Sequence, residues 1–166
     1  FFDKEIPGQF NIVTAKRQPG SSFKPFVYAL AFNKGMTPDT VLFDVPTQFN
    51  PSCGAYEGTI NSRGCYGPQN YDGSYRGPMS IRSALAQSIN VPAVKTLYIV
   101  GVQNAIKLAN DMGITTLKNA SDYGLTLVLG GGEVRLLDMA SAYGVFASGG
   151  IRHNPTPILS IMDSKG

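Results

Sequence analysis

The chain has 166 residues with a hydrophobic fraction of 43%, a size and composition suited to one domain, or a piece of one, with its own core. A formal net charge of +3, with no run of Lys or Arg, excludes the basic surface that nucleic-acid binding requires. No run of 18 apolar residues occurs, so no membrane-spanning helix is expected.

Residues 1–18 mix polar and apolar side chains without a period and read as an extended lead-in. Phe1 is no initiator methionine and no apolar leader follows it, so the sequence reads as an excerpt from a longer protein. A helix is predicted from about Ser21 to Asn33. Pro19-Gly20 turns the chain into it, Ser21 stands where an N-cap serine belongs, and Pro25 falls in the first turn, where its missing N–H costs nothing. Phe23, Phe26, Val27 and Leu30 can pack this helix into a core, and Gly35 suits its stop. Thr37-Pro38-Asp39 resembles a second helix start, opening a short turn before Val45-Pro46. Residues 47–77 are rich in Gly, Asn, Pro, Ser and Tyr. A loop of that length is functional or disordered, and Phe49, Tyr56, Tyr66, Tyr71 and Tyr75 argue against disorder.

Cys53 and Cys65 lie within this loop. A disulfide in an oxidising compartment is expected there, the alternative being two free thiols. Zinc has no complete ligand set, since His153 is distant and sits in what reads as an exposed turn. A helix beginning at Pro78 or Ser80 carries Ile81, Ala84, Leu85 and Ile89 at helical spacing and ends near Ser88-Ile89-Asn90. Pro92 restarts the pattern through Val94, Leu97 and Tyr98 to Gly101, and residues 102–112 repeat it to Gly113. Residues 121–129 read as extended or irregular, and residues 133–147 as an amphipathic helix closed by Gly149-Gly150. Residues 157–162 alternate weakly and read as a strand, followed by a hairpin turn over residues 163–166.

Two pairs of residues carry chemistry. In a helix Ser21 and Lys24 share one face, about 4.5 Å apart along the axis. An amine held there, losing solvation among Phe23, Phe26 and Val27, has a lowered pKa and can take the hydroxyl proton, making Ser21 a nucleophile. On residue types alone, an N-cap serine beside a solvated lysine accounts for the same spacing. Ser88 and Asn90, two apart, do not share a helix face. In a short connection both can enter one cleft, Ser88 to relay a proton and Asn90 to hold an amide; the simpler account is that they satisfy helix-end carbonyls.

Lys16-Arg17-Gln18-Pro19-Gly20-Ser21-Ser22-Phe23-Lys24-Pro25 resembles the active-site serine segment of class A penicillin-binding proteins, the bifunctional peptidoglycan synthases. The Ser-x-x-Lys element is a known signature of penicillin-binding proteins and class A β-lactamases. Three further blocks resemble the same family in the same order. They are Asn70-Tyr71-Asp72-Gly73-Ser74-Tyr75-Arg76-Gly77, then residues 84–93 with a Ser-x-Asn motif at Ser88 and Asn90, then Leu129-Gly130-Gly131-Gly132-Glu133-Val134 through Gly150.

The resemblance implies an α+β fold: the helix-rich part of a transpeptidase domain of the β-lactamase-like kind, with most of the central antiparallel sheet missing. Residues 1–166 would be a partial domain, without the preceding glycosyltransferase domain and membrane anchor and without the later Lys-Thr-Gly or Lys-Ser-Gly strand; Lys165-Gly166 lacks the middle hydroxyl residue. The implied reaction is D,D-transpeptidation of peptidoglycan stem peptides. Ser21 forms the acyl-enzyme, Lys24 accepts its proton, Ser88 passes a proton to the leaving D-alanine, and Asn90 binds the peptide and orients Lys24. β-Lactams would acylate Ser21, no cofactor is implied, and the site would face the extracytoplasmic side of the bacterial membrane. The oxyanion would be held by the Ser21 N–H and one from a strand. The 166 residues alone are expected to have little or no transpeptidase activity. Tyr71 and Asn70 are the loop residues expected nearest the cleft.

Rival readings share both motifs. A serine β-lactamase needs a Glu-activated water, and the only glutamate after Asn90 is Glu133, which reads more simply as favouring a helix dipole. A D,D-carboxypeptidase, a β-lactam sensor and a non-catalytic wall-binding module complete the alternatives.

Overall fold

The computed structural model describes residues 10–54 and 64–163. Its scaffold is five α-helices with two small two-stranded sheets, the architecture expected of a helix-rich part of the transpeptidase fold. The short strand β1 (Lys16–Arg17) leads through Pro19 into a 3-10 turn at Gly20–Phe23, which runs on into α1 (Lys24–Asn33). Ser21 is therefore inside a 3-10 turn and not at a helix N-cap; Phe23 occupies the cap position of α1, and Pro25 stands in its first turn. Phe23, Phe26, Val27, Tyr28 and Ala31 give this segment its fully buried face.

After α1, residues 37–40 form a turn and not a helix start, with the Thr37 N–H donating to Thr40 Oγ1 at 2.9 Å. The chain then enters β2 (Val41–Asp44), which pairs antiparallel with β3 (Gly77–Ser80) in the register Val41↔Ser80 to Asp44↔Gly77. Sequence periodicity did not indicate either strand. On β2 Leu42 and Asp44 point inward and Val41 and Phe43 outward, so the alternation ends in a buried carboxylate.

The described parts of the long loop are ordered by aromatic packing and by side-chain caps. Phe49 lies 6.1 Å from Tyr66 and 5.3 Å from Tyr98, ring centre to ring centre. Gln48 Oε1 accepts from the Tyr66 N–H at 2.6 Å. Cys53 and Cys65 form the expected disulfide, with Cα atoms 5.8 Å apart. Tyr56 lies outside the described residues. Asn70 is buried while Tyr71 is fully exposed, so of the two expected near the cleft only Asn70 turns inward.

Ser80 caps α2 (Ile81–Ala86), its hydroxyl accepting from the Ser83 N–H. α3 (Asn90–Val100) follows after a three-residue corner and ends at Gly101, whose φ of 89° a β-carbon would strain. α4 (Val102–Asp111) turns back along it. α3 is the central element, packing against α1, α2, α4 and β2. Residues 120–122 and 124–129 form 3-10 helices where an extended or irregular segment was expected over residues 121–129. β4 (Val134–Arg135) pairs with β1, and α5 (Leu136–Ala147) starts three residues later than its periodicity suggested.

The strand expected over residues 157–162 does not form. Ile158, Leu159, Ile161 and Met162 are all exposed, and no described residue pairs with this segment, so its backbone groups have no ladder to join. The turn expected after it falls, past Asp163, outside the described residues.

Candidate functional site

The site is assembled by one lysine crossing between elements. Lys24 opens α1 at the buried junction with the 3-10 turn, and its side chain is completely shielded from solvent. Its Nζ reaches the corner between α2 and α3, donating to Ser88 O at 2.5 Å, to Ser88 Oγ at 3.1 Å and to Asn90 Oδ1 at 2.8 Å. Three acceptors match the three protons of an ammonium. Burial nevertheless dominates, and desolvation holds the Lys24 amine down at about 8. Of the three partners only the Ser88 hydroxyl can reverse direction and donate to a neutral amine.

The corner that supplies these acceptors has an unusual backbone. Ser88 has a φ of 55°, the one described non-glycine residue in the left-handed region. Such a conformation costs a serine about 1–2 kcal/mol. It turns the chain sharply enough that Ser88 O and Oγ and Asn90 Oδ1 converge on one point. This is how residues two apart, which a helix would separate, come to meet the same Lys24 amine.

Ser21 is exposed, and its hydroxyl makes no hydrogen bond among the described residues. In a 3-10 turn side chains at i and i+3 eclipse, which sets Ser21 on the side of Lys24. The turn is closed by the Lys24 N–H donating to Ser21 O. It is also braced from outside. The Ser22 hydroxyl donates to Pro19 O at 2.6 Å, and the Tyr143 hydroxyl of α5 donates to Ser22 O at 2.8 Å. Phe26 packs edge-on to Tyr143, with ring centres 5.5 Å apart, which seats α5 against α1.

Gly130 forms the tightest brace. It has a φ of 89°, and a β-carbon built there would lie 2.2 Å from Gly20 N and 2.4 Å from Gly20 Cα. Two backbones thus touch directly beside the serine turn. A cleft of about 560 Å³ opens next to it, lined by Gln18, Tyr66, Gln69, Thr126, Gly130 and Gly131.

The structure therefore joins Lys24, Ser88 and Asn90 by direct hydrogen bonds and leaves Ser21 free on the adjoining turn. Spacing did not single out Gly130 or Tyr143, although Gly130 stood within a quoted Gly-rich block. Glu133 is exposed and precedes β4; the acidic residue in the first turn of α5 is Asp138, which accepts from Thr115. His153 is exposed, and the described residues hold no cluster of metal-ligating side chains.

Comparison with known proteins identifies the family. The penicillin binding protein transpeptidase domain family matches residues 3–165. Penicillin-binding protein 1A of Neisseria lactamica is 39% identical over 158 residues, which is 95% of this chain and 19% of that protein. The chain thus spans about a fifth of the length of that relative. Among solved structures, penicillin-binding protein 1A from Haemophilus influenzae superposes with a TM-score of 0.68 at 32% identity, over 83% of this chain and 19% of that one. PonA1 from Mycobacterium tuberculosis, in complex with penicillin V, gives 0.72 at 25% identity, over 88% of this chain and 39% of that one. With the family match running nearly end to end and the relatives of the 1A type, the chain belongs to the transpeptidase domain of the class A penicillin-binding proteins.

Proposed function

We propose that this chain carries the acylation machinery of a serine D,D-transpeptidase that cross-links peptidoglycan stem peptides. The observation that carries the reading is a fully buried lysine amine held near neutrality and hydrogen-bonded to Ser88 and Asn90, beside an exposed serine hydroxyl with no other partner. Ser21 Oγ attacks the carbonyl of the D-Ala-D-Ala bond while the neutral Lys24 amine takes its proton. The Ser88 hydroxyl, 3.1 Å from Lys24 Nζ, hands its proton to the departing D-alanine nitrogen as the C–N bond breaks and takes in its place the proton Lys24 received, which leaves the amine neutral again. Asn90 holds the peptide amide and keeps Lys24 aimed. The acyl group then passes from Ser21 to an amine of a neighbouring stem peptide, with Lys24 as the proton acceptor again. The oxyanion is held by the Ser21 N–H and by an N–H from a sheet strand.

A β-lactam presents a strained amide to the same serine and leaves it acylated. The penicillin V complex of PonA1, a protein similar over most of this chain, supports β-lactams as ligands here. Since the substrate lies outside the cytoplasm, the site works on the extracytoplasmic face of the membrane; no described helix is long and apolar enough to cross one. The 166 residues by themselves carry no Lys-Thr-Gly or Lys-Ser-Gly motif and are expected to turn over little or no substrate.

The test is covalent labelling of the full-length protein with a fluorescent penicillin, with peptide mapping of the adduct. Wild type labels on the peptide bearing Ser21, Ser21→Ala does not, and nitrocefin is not turned over at a β-lactamase rate. An adduct persisting at the same place in Ser21→Ala overturns the assignment.

A further inference from the structure

We infer that Asp44 and Asn70 are positioning residues that hold Asn90, and through it the Lys24 amine, in the orientation acylation requires. The inference rests on the function proposed above.

The corner residue before α3 cannot cap it. Ile89 occupies the N-cap position and has no side-chain oxygen to offer the first free N–H groups of the helix. The acceptor comes instead from the long loop. Asn70 Oδ1 accepts from the Asn90 N–H at 3.0 Å and from the Val91 N–H at 3.2 Å. The residue before it holds the side chain of Asn90, whose Nδ2 donates to Gln69 O at 3.0 Å. Gln69 and Asn70 thus grip Asn90 by backbone and by side chain, leaving Asn90 Oδ1 directed at Lys24.

Asp44 fixes which way the Asn70 amide faces. Its carboxylate is fully buried on the inner side of β2, and both oxygens accept from Asn70 Nδ2, at 2.7 and 2.9 Å. The β2–β3 register sets Asp44 opposite Gly77, which brings the neighbouring Arg76 N–H to Asp44 Oδ2 at 3.0 Å. The Arg76 guanidinium stands 3.7 Å away. Ser74 O, a third acceptor, lies 2.8 Å from Asn70 Nδ2. A carboxylate and a carbonyl only accept, and the α3 N–H groups only donate, so the Asn70 amide has a single satisfiable orientation. The same polarity continues to the reacting centre: Asn90 donates to Gln69 O and accepts from Lys24. The small sheet that sequence periodicity did not reveal therefore holds up this chain of hydrogen bonds.

The experiment exchanges the two side chains in the full-length protein and measures the acylation rate constant with a fluorescent penicillin. Asp44→Asn lets the facing amides flip. Asn70→Asp sets two carboxylates against each other in a buried site. Each is expected to slow acylation by about 10–100-fold, the scale on which a misplacement of about 1 Å acts on a catalytic group. The double variant D44N/N70D restores one donor amide facing one carboxylate. The carboxylate, now on the loop side, still accepts from the α3 N–H groups; the donor to Ser74 O is lost, and the Arg76 guanidinium faces an amide in place of a carboxylate. With each rate divided by the folded fraction found from urea unfolding, so that coupling in stability is not counted, this variant is expected to recover about tenfold or more over the slower single variant.

Ile106→Val, in the core on α4, serves as a control for destabilisation. If Asn70→Asp does not fold, Asp44→Asn and the double variant decide the question. Wild-type rates in folded Asp44→Asn, or a double variant no faster than the slower single one, or losses no larger than those of Ile106→Val, overturn the inference and leave the proposed function standing. Wild-type protein that takes its label elsewhere than Ser21 overturns the function instead.

Discussion

The lowered pKa of Lys24 makes the pH dependence of acylation the most direct measure of the site. With the amine at about 8, roughly a tenth of it is neutral at pH 7; an ordinary lysine near 10.4 offers a few parts in ten thousand. Burial therefore raises the population of the base by about two orders of magnitude at neutral pH. If the neutral amine takes the Ser21 proton, the second-order acylation rate should fall about tenfold per pH unit below about 8 and level off above it. Stability should move in the same direction. The folded state binds fewer protons than the unfolded chain between about pH 8 and the ordinary lysine range, so stability rises across that window. The cost of burying the charge is fully present below pH 8 and is relieved as the pH rises through the window. Stopped-flow acylation by a fluorescent penicillin from pH 6 to 10, beside urea unfolding over the same range, reads both quantities. A rate that is flat through pH 8, or that still climbs tenfold per unit at pH 10, refutes the assignment of Lys24 as a base created by burial.

The glycine contact and the disulfide give further tests. Gly130→Ala places a methyl group 2.2 Å from Gly20 N, so the serine turn must retreat. We expect acylation to fall about 100-fold, with a further strain of about 1–2 kcal/mol from the left-handed backbone at Gly130. Wild-type acylation in a folded Gly130→Ala protein excludes a bracing role for that contact. The Cys53→Ser/Cys65→Ser variant frees a loop closed over a sequence separation of 12 and should lose about 3 kcal/mol. Equal urea midpoints for this variant and the oxidised wild type show that the bridge does not stabilise the domain.

What could be read from the sequence was local in the chain. The helices announced themselves by their period, and Gly101 and Gly113 mark where α3 and α4 stop; α2, however, ends at Ala86, short of the expected Ser88-Ile89-Asn90, and α3 begins at Asn90, two residues before Pro92. Ser21 and Lys24 stood out because a hydroxyl and an amine three residues apart on one turn lie on the same side of it. The strand β2 stayed hidden because its inward positions are Leu42 and Asp44, and an acidic residue at a core position breaks the apolar alternation that marks a strand. The opposite error occurred at residues 157–162, where alternation is present but no strand among the described residues covers it. α5 begins late because Val134 and Arg135 are taken up by pairing with β1.

The four residues grouped by the two motifs belong to two separate parts of the chain, and what joins them is a lysine reaching across 64 and 66 residues. Motif spacing can locate such groups because each motif packs its reacting atoms into one turn or one corner. The supporting atoms obey no such rule. A helix N-terminus needs an acceptor in front of it, and any residue brought there by the fold will serve; here Asn70 comes from 20 residues upstream, and Asp44 from 26 residues before that. Gly130 meets Gly20 in the same way, at a distance along the chain that no local pattern encodes. The sequence thus reveals the atoms that react sooner than those that aim them. The aiming residues become visible only when each buried donor and acceptor around Lys24 is traced to its partner.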